Sequence, residues 1–223
     1  MALENIESNS FREPDDSSLL ASSSSLQISV RREGTSDLQL LCANDSTMHC
    51  YVRNSILKPR IPPVTLFAGD NKAQGSVIGV CHFPAFSHSI AVGRGDPVSN
   101  PNDVQWETVS KASRDHSVYE FSTVDSGGER QSYRWKRTHD QALKDSNSTK
   151  WNMRSWKLEE CSTRQVVAVY AANNIKYGKD AGTIKLAADK RGIWEQWILL
   201  TYLGISEKAR RRAMARRDIS WFL

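Results

Sequence analysis

Residues 193–205 read IWEQWILLTYLGI, and this stretch decides the fold. Its apolar residues point in nearly every direction around a helix, and a helix that is apolar all round is buried inside a protein. A span of about 13 residues is well short of the ~20 that a transmembrane helix needs, and stretches of this length are usually core helices. The stretch therefore predicts one central helix and no transmembrane segment, with a re-entrant membrane segment as the alternative.

The predicted helix begins after Asp189 and Gly192 and continues beyond the apolar stretch, over about residues 193–217. Its second half, from Ser206 onward, is strongly basic. The cations of this half are Lys208, Arg210, Arg211, Arg212, Arg216 and Arg217. We expect the apolar half to lie inside the protein and the basic half to emerge from it.

Short runs of apolar, β-branched and aromatic residues precede the helix, and Gly, Pro, Asn, Asp and Ser separate them, as is typical of β-strands. The candidate strands are Leu26–Arg31, Leu38–Ala43, Met48–Arg53, Val64–Ala68, Ser76–Phe83, Ser89–Val92, Val104–Lys111, His116–Thr123, Arg130–Thr138, Ser155–Cys161, Arg164–Ala171 and Thr183–Ala188. In the run YRWKR at 133–137, the aromatic residues fall on one face, whereas Arg134 and Lys136 fall on the other. Many short strands at near-regular spacing favour a sandwich or a barrel.

Residues 1–25 differ from the rest of the chain. They are serine-rich and carry five acidic residues against one arginine, so the remaining residues are more basic than the net charge of +5 indicates. Such a segment lacks the apolar content that offsets ordering entropy, and we predict that it is a disordered tail. Residues 26–223 are then the folded domain, and their basic character favours anionic partners.

Motifs for catalysis and metal binding are missing from the sequence. None of the four cysteines forms a C-x-x-C pair, and there is no G-x-S-x-G, Walker A, G-x-G-x-x-G or H-E-x-x-H pattern. His82 and His88 are the nearest approach to a paired site, but no carboxylate accompanies them. The expectation is a non-enzymatic protein without catalytic residues, metal ligands or a cofactor. The N-terminus carries no secretory signal, so we expect a cytoplasmic protein, with membrane-peripheral and nuclear locations as variants.

The order of about twelve short strands followed by one apolar helix resembles the Tubby C-terminal-like superfamily, which includes the LURP-one-related and phospholipid-scramblase-like proteins. The likeness is carried by the YRWKR run, by WKL at 156–158, VVAVY at 166–170 and GTI at 182–184, and by the helix with its trailing basic run. The order is similar to that of an uncharacterised fungal group in the superfamily. The resemblance implies a mainly β (β+α) fold, a barrel of about twelve strands around one central apolar C-terminal helix.

Tubby proteins bind phosphoinositides through basic residues, so the resemblance implies binding of anionic phospholipid headgroups. The candidate residues here are Arg134, Lys136, Arg137, Lys208, Arg210, Arg211, Arg212, Arg216 and Arg217. Short basic runs also bind nucleic acid, which we disfavour, and they also serve only to keep a surface soluble. The alternative function is a protein–protein interaction module that acts through the acidic N-terminal tail.

Overall fold

The fold is described from a computed structural model, which covers residues 25–43, 47–55, 61–69, 75–124, 128–138, 155–173 and 179–219, with backbone alone for residues 48 and 217–219. Residues 1–24 of the predicted tail, the polar stretch at 139–148 and residues 125–127 of the turn at 125–128 lie outside these residues. The polar stretch at 93–103 lies inside them. It holds the end of one strand and a short 3-10 helix, Pro101–Asp103.

Twelve strands form one closed antiparallel barrel in which each strand pairs with its neighbours in the chain and the last pairs with the first. The strands are β1 (Leu26–Glu33), β2 (Asp37–Cys42), β3 (Met48–Asn54), β4 (Val64–Ala68), β5 (Val77–His82), β6 (Ile90–Arg94), β7 (Gln105–Lys111), β8 (Val118–Val124), β9 (Arg130–Arg137), β10 (Trp156–Glu160), β11 (Val166–Ala172) and β12 (Asp180–Leu186). The predicted fold class is confirmed. The largest boundary difference is β12, which begins three residues before Thr183.

The helix α1 (Ile193–Ile219) runs along the interior of the barrel. Its apolar half supplies a large share of the core, and Trp197, Leu200 and Leu203 are buried among the inward side chains of the strands. The approach is close enough that a Cβ on Gly79 of β5 would lie 2.4 Å from a methyl group of Leu200. A helix of 27 residues is about 40 Å long, so it is longer than the strands that surround it and extends beyond them.

Two hydrogen bonds fix the helix in the barrel. The indole nitrogen of Trp135 donates to the Thr201 hydroxyl at 2.9 Å, and the Cys81 thiol donates to the Leu200 carbonyl at 3.3 Å. The first bond satisfies a polar group on each partner deep in the core, which otherwise would cost about 1–3 kcal/mol. The apolar stretch that the sequence places inside the protein is therefore held there at a defined depth.

The barrel has two distinct ends. We call the end where α1 begins the amino end; Leu26 and Leu186 pair there, at the start of β1 and the close of β12. We call the end from which α1 emerges the carboxyl end. There, Lys208 reaches the β5–β6 connection and Arg211 reaches Ser55, just after β3. Hence the basic half of the helix belongs to one end of the molecule.

The wall of the barrel is split at one seam. β7 and β8 pair only at Ser110–Glu120 and Lys111–Tyr119, next to the carboxyl end, whereas β8 and β9 pair at seven positions. No further residues of the two strands pair toward the amino end, where Arg130 of β9 reaches past β8 to Glu107 of β7 at 2.5 Å. In the part of the chain that the structure describes, no helix combines the length and apolar character needed to cross a bilayer.

Candidate anion-binding site

The strand cations of the predicted site lie on the outer wall of the barrel and have acidic partners. Trp135 is buried, so Arg134 and Lys136 point outward, as the alternation predicted. Arg134 donates to Glu120 at 2.6 Å, and Lys136 lies 2.5 Å from Glu159. Both cations therefore have a carboxylate partner, although Glu159 also lies 2.9 Å from Lys157.

Arg137 is oriented differently from its two strand neighbours. Its guanidinium lies over the ring of Trp156, 5.2 Å from the ring centroid, and that ring packs 6.0 Å from the ring of Tyr119. Arg137 follows the inward positions of β9 and reaches the rim of the carboxyl end. The structure therefore separates Arg137 from Arg134 and Lys136.

Two of the helix cations are also neutralised. Glu207 is buried, with its side chain 3% exposed, and it accepts hydrogen bonds from Arg210 at 2.7 and 2.8 Å and from Arg211 at 2.8 Å. Arg211 donates in addition to the Ser55 carbonyl at 2.5 Å. Paired and hydrogen-bonded charges are the form in which charge is tolerated inside proteins. The pairs with Glu207 lie within α1, and Arg211 joins the helix to the rim through its bond to Ser55.

Lys208 serves the β5–β6 connection. Its ammonium group donates to the carbonyls of Ser87 at 3.0 Å and Ser89 at 2.6 Å. Burial, and then the charge of Arg212, lower the pKa of Lys208 below its usual value. Lys208 thus orders a loop and adds positive potential to the rim.

Arg212 and Arg216, like Lys208, are helix cations with no acidic partner among the described residues. They lie near three residues that sequence reasoning missed: Lys111 at the end of β7, His88 and His116. The rings of His88 and His116 are 5.5 Å apart. We call these five residues the cationic cluster. Arg217 follows them, but its side chain is outside the described residues.

The histidine at the centre of the cationic cluster reports the local potential. Burial first, and then the charges of Arg212, Lys111, His88 and Arg216 in that order, together lower the pKa of His116 to about 4. The neighbouring carboxylate of Asp115 accepts hydrogen bonds from Ser117. His116 is therefore neutral at pH 7 in a strongly positive environment.

Arg212 and His116 share the Tyr119 hydroxyl. Arg212 donates to this hydroxyl at 3.3 Å, and Nδ1 of His116 lies 3.0 Å from it. When the hydroxyl donates its proton to Nδ1, the neutral imidazole holds its own proton on Nε2. The arrangement gives a second donor, beside the guanidinium of Arg212, for an anion.

The chain builds this site in a tight connection between β7 and β8. Ser113 accepts from the backbone amides of Ser117 and Val118, both at 2.9 Å, and His116 has a φ of +62°. Non-glycine residues with positive φ are uncommon and concentrate at functional sites. A second one, Phe86, lies in the β5–β6 connection at the same end.

The arrangement suits the binding of an anion. In the described ranges, no three metal-ligating side chains converge. His82 does not meet His88; it packs against Trp106 on the outer wall, 5.6 Å between ring centroids. The cationic cluster offers a guanidinium, an ammonium and an imidazole donor on one rim, which are groups that bind phosphate oxygens.

The amino end has the opposite character. A cavity of about 490 Å³ lies at this end beside the β7–β8 seam, and a second of about 540 Å³ extends along the seam as far as Ser110 and Glu120. Around them Trp106, Val124 and Ile193 are 46%, 47% and 54% exposed. The charged groups at the seam are engaged, since Arg130 binds Glu107 and Arg94 donates to Gln105 at 2.8 Å. This end is apolar where the carboxyl end is cationic.

Comparisons with known proteins support the architecture. No family model matches the chain, and no curated protein matches it significantly. The fold is similar to an X-ray structure of a protein from Arabidopsis thaliana, with a TM-score of 0.50 and 12% sequence identity over 84% of this chain and 91% of that chain. At this identity the likeness shows the fold alone.

Proposed function

We propose that this chain is a non-enzymatic binding domain of the Tubby C-terminal-like superfamily that recognises anionic phospholipid headgroups at its carboxyl end. The twelve-stranded barrel with a central C-terminal helix supports the superfamily. The observation that carries the function is the cationic cluster, where Lys111, Arg212 and Arg216 have no acidic partner among the described residues, whereas Arg134, Lys136, Arg210 and Arg211 each have one.

The electrostatic argument is one of uncompensated charge. Burial lowers the pKa of His116, and the positive groups packed around it lower that pKa further because they repel an added proton. An anion at the same place would remove that repulsion. Basic residues near an anionic bilayer contribute about 1 kcal/mol each, so three such cations are enough for a salt-sensitive membrane affinity.

The test is flotation of the protein with vesicles that contain phosphatidylserine and a phosphoinositide, compared with phosphatidylcholine vesicles, at low and physiological salt. We expect selective binding that weakens as salt increases. Exchanging both Lys111→Gln and Arg212→Gln removes two unpaired charges and should lower the affinity by more than tenfold, given about 1 kcal/mol per residue.

The matched control is the pair Arg134→Gln and Lys136→Gln, which changes the net charge equally on the paired outer wall. We expect it to leave vesicle binding close to wild type. Equal losses in both double variants would show that net charge alone drives binding and would overturn the assignment to the cationic cluster. Absence of binding at either salt would remove the headgroup function itself.

A further inference from the structure

The β5–β6 connection carries an apolar side chain at the surface of the cationic end. Phe86 is fully exposed and has a φ of +57°. Other large apolar residues that are exposed by half or more, Val98 and Ile193, lie at the amino end. A phenylalanine held wholly in water in an uncommon backbone conformation has no packing role to explain it.

The connection is ordered by contacts on both sides of Phe86. Ser87 donates from its amide to the Pro84 carbonyl at 3.3 Å, and the hydroxyls of Ser87 and Ser89 lie 2.7 Å apart. Lys208 of α1 donates to the Ser87 and Ser89 carbonyls, as described above. Since the loop is fixed at its base, Phe86 is held away from the barrel.

The same connection is joined to the helix through Phe83. The ammonium of Lys208 and the guanidinium of Arg211 lie 5.6 and 5.0 Å from the centroid of the Phe83 ring. Two residues beyond Phe86, His88 belongs to the cationic cluster. Thus the exposed ring belongs to the same ordered connection as His88 and lies at the end of the barrel that carries the cationic cluster.

We propose that the carboxyl end docks end-on against an anionic bilayer, with Phe86 inserted between lipid headgroups and the cationic cluster on their phosphates. This rests on the proposed function and names its partner as a membrane surface. A free inositol phosphate would satisfy the cations but leave Phe86 in water. A membrane interface suits both Phe86 and the cations, because aromatic side chains are buried at the headgroup boundary while adjacent cations bind anionic lipid.

The docking geometry follows from the position of the helix. α1 lies along the barrel interior and emerges at the carboxyl end. An end-on contact therefore orients the helix axis roughly perpendicular to the membrane surface, and the helix itself is not inserted. The amino end, with Trp106 and the β7–β8 seam, then faces away from the bilayer and stays accessible to other partners.

The experiment compares Phe86→Ser with the matched variant Val98→Ser, which removes an exposed apolar residue from the amino end. Each variant and the wild type are titrated with anionic vesicles, and separately with soluble inositol trisphosphate by calorimetry. We expect Phe86→Ser to weaken vesicle binding about tenfold and to leave inositol trisphosphate binding unchanged. Val98→Ser should match wild type in both assays.

The outcomes separate this proposal from the one on which it rests. Vesicle binding by Phe86→Ser equal to wild type, or a loss shared by Val98→Ser, would overturn insertion while leaving headgroup recognition in place. Binding of inositol trisphosphate without binding of vesicles would overturn the membrane as partner and identify a soluble phosphate ligand. Binding of neither would remove both proposals. Thermal unfolding of each variant confirms that the fold is unchanged.

Discussion

The two ends of the barrel hold α1 by different charge arrangements. At the amino end, the helix residue Glu195 forms an ion pair with His49 of β3, and the hydrogen bond between them raises the pKa of His49. At the carboxyl end, Glu207 pairs with Arg210 and Arg211 of the same helix, and the guanidinium of Arg211 donates to the Ser55 carbonyl of the barrel. A guanidinium keeps its charge at every ordinary pH. One attachment therefore depends on pH and the other does not.

The histidines of the two ends differ in the same way. A carboxylate beside His49 raises its pKa, whereas burial and four neighbouring cations lower the pKa of His116 to about 4. Charge at the amino end is balanced within the fold, and charge at the carboxyl end is in excess. The contrast teaches that the cationic end is not optimised for the stability of the free protein, which is the expected condition of a surface that binds an anion.

The largest expected effect concerns the core that both ends share. Leu200→Asp places an unpaired charge on a fully buried position of α1, and a lone buried charge costs several kcal/mol. We expect loss of the folded state, measured as loss of the cooperative thermal transition by circular dichroism. Ala213→Asp, on the exposed part of the same helix, should fold. A folded Leu200→Asp protein would contradict the central position of the helix.

The two helix glutamates give the next largest effect and test the difference between the ends. Glu207→Ala leaves two half-buried guanidinium groups without their carboxylate, at a cost of about 1–3 kcal/mol, and this cost should be the same at pH 6 and pH 9. The cost of Glu195→Ala should be larger at pH 6 than at pH 9. The sign follows from the raised pKa of His49. The ion pair stabilises the fold fully at pH values below the unfolded-state pKa of His49, and this stabilisation is lost as the pH rises through the folded-state pKa.

Chemical denaturation of both variants at the two pH values measures these costs. Equal pH dependence for the two glutamates would show that the His49–Glu195 pair does not respond to pH as its geometry indicates. Glu195→Gln is the conservative companion, because it keeps the shape of the side chain and removes only the charge.

A smaller effect is expected from His116, in the opposite direction. The pKa of His116 is lower in the folded state than in the unfolded state, so its contribution to stability is complete at pH values above the unfolded-state pKa. That contribution is lost as the pH falls toward about 4. The charged groups facing it are Lys111 of β7, His88 of the β5–β6 connection, and Arg212 and Arg216 of α1. NMR titration should find the pKa of His116 below, and the pKa of His49 above, the usual pKa of histidine. Inositol trisphosphate should raise the pKa of His116; no change would argue against an anion in the cationic cluster.

The smallest effect belongs to the seam at the amino end. Arg130→Ala removes an exposed ion pair with Glu107, and such pairs contribute about 0–1 kcal/mol. We expect a slight loss of thermal stability that disappears in high salt, together with faster amide hydrogen exchange in β8 next to the seam. Unchanged exchange there would show that the pair does not hold the two strands together.

The fold was predictable because its two main signals are strong in the sequence. Alternation in β9 placed Trp135 inside and Arg134 outside, and an apolar stretch of helical length had to be buried. The boundary of β12 was harder. Its early residues include Gly182 with a φ of +155°, yet they remain in the ladder through the pairing of Gly182 with Ala172. Turn residues do not reveal when a strand continues through them.

The site was predictable only in part, because sequence shows charges but not their partners. Arg210 and Arg212 stand in the same basic run, but one is bound to Glu207 and the other faces Tyr119. Lys111 and His116 come from another element and join Arg212 only when β7 and β8 meet the end of α1. The sequence signal for this site was a basic residue on each side of a short turn, Lys111 and His116. This pattern is common on the surfaces of soluble proteins, so it does not identify a site.

The order of elements along the chain has a consequence for biosynthesis. α1 follows all twelve strands, and ring closure needs β12 to meet β1. During translation, which proceeds at about 5–20 residues per second, the strands emerge before the side chains that fill the space between them. The nascent barrel therefore cannot complete its interior until α1 leaves the ribosome, so for several seconds its inward apolar residues depend on chaperones or on collapse for protection from aggregation.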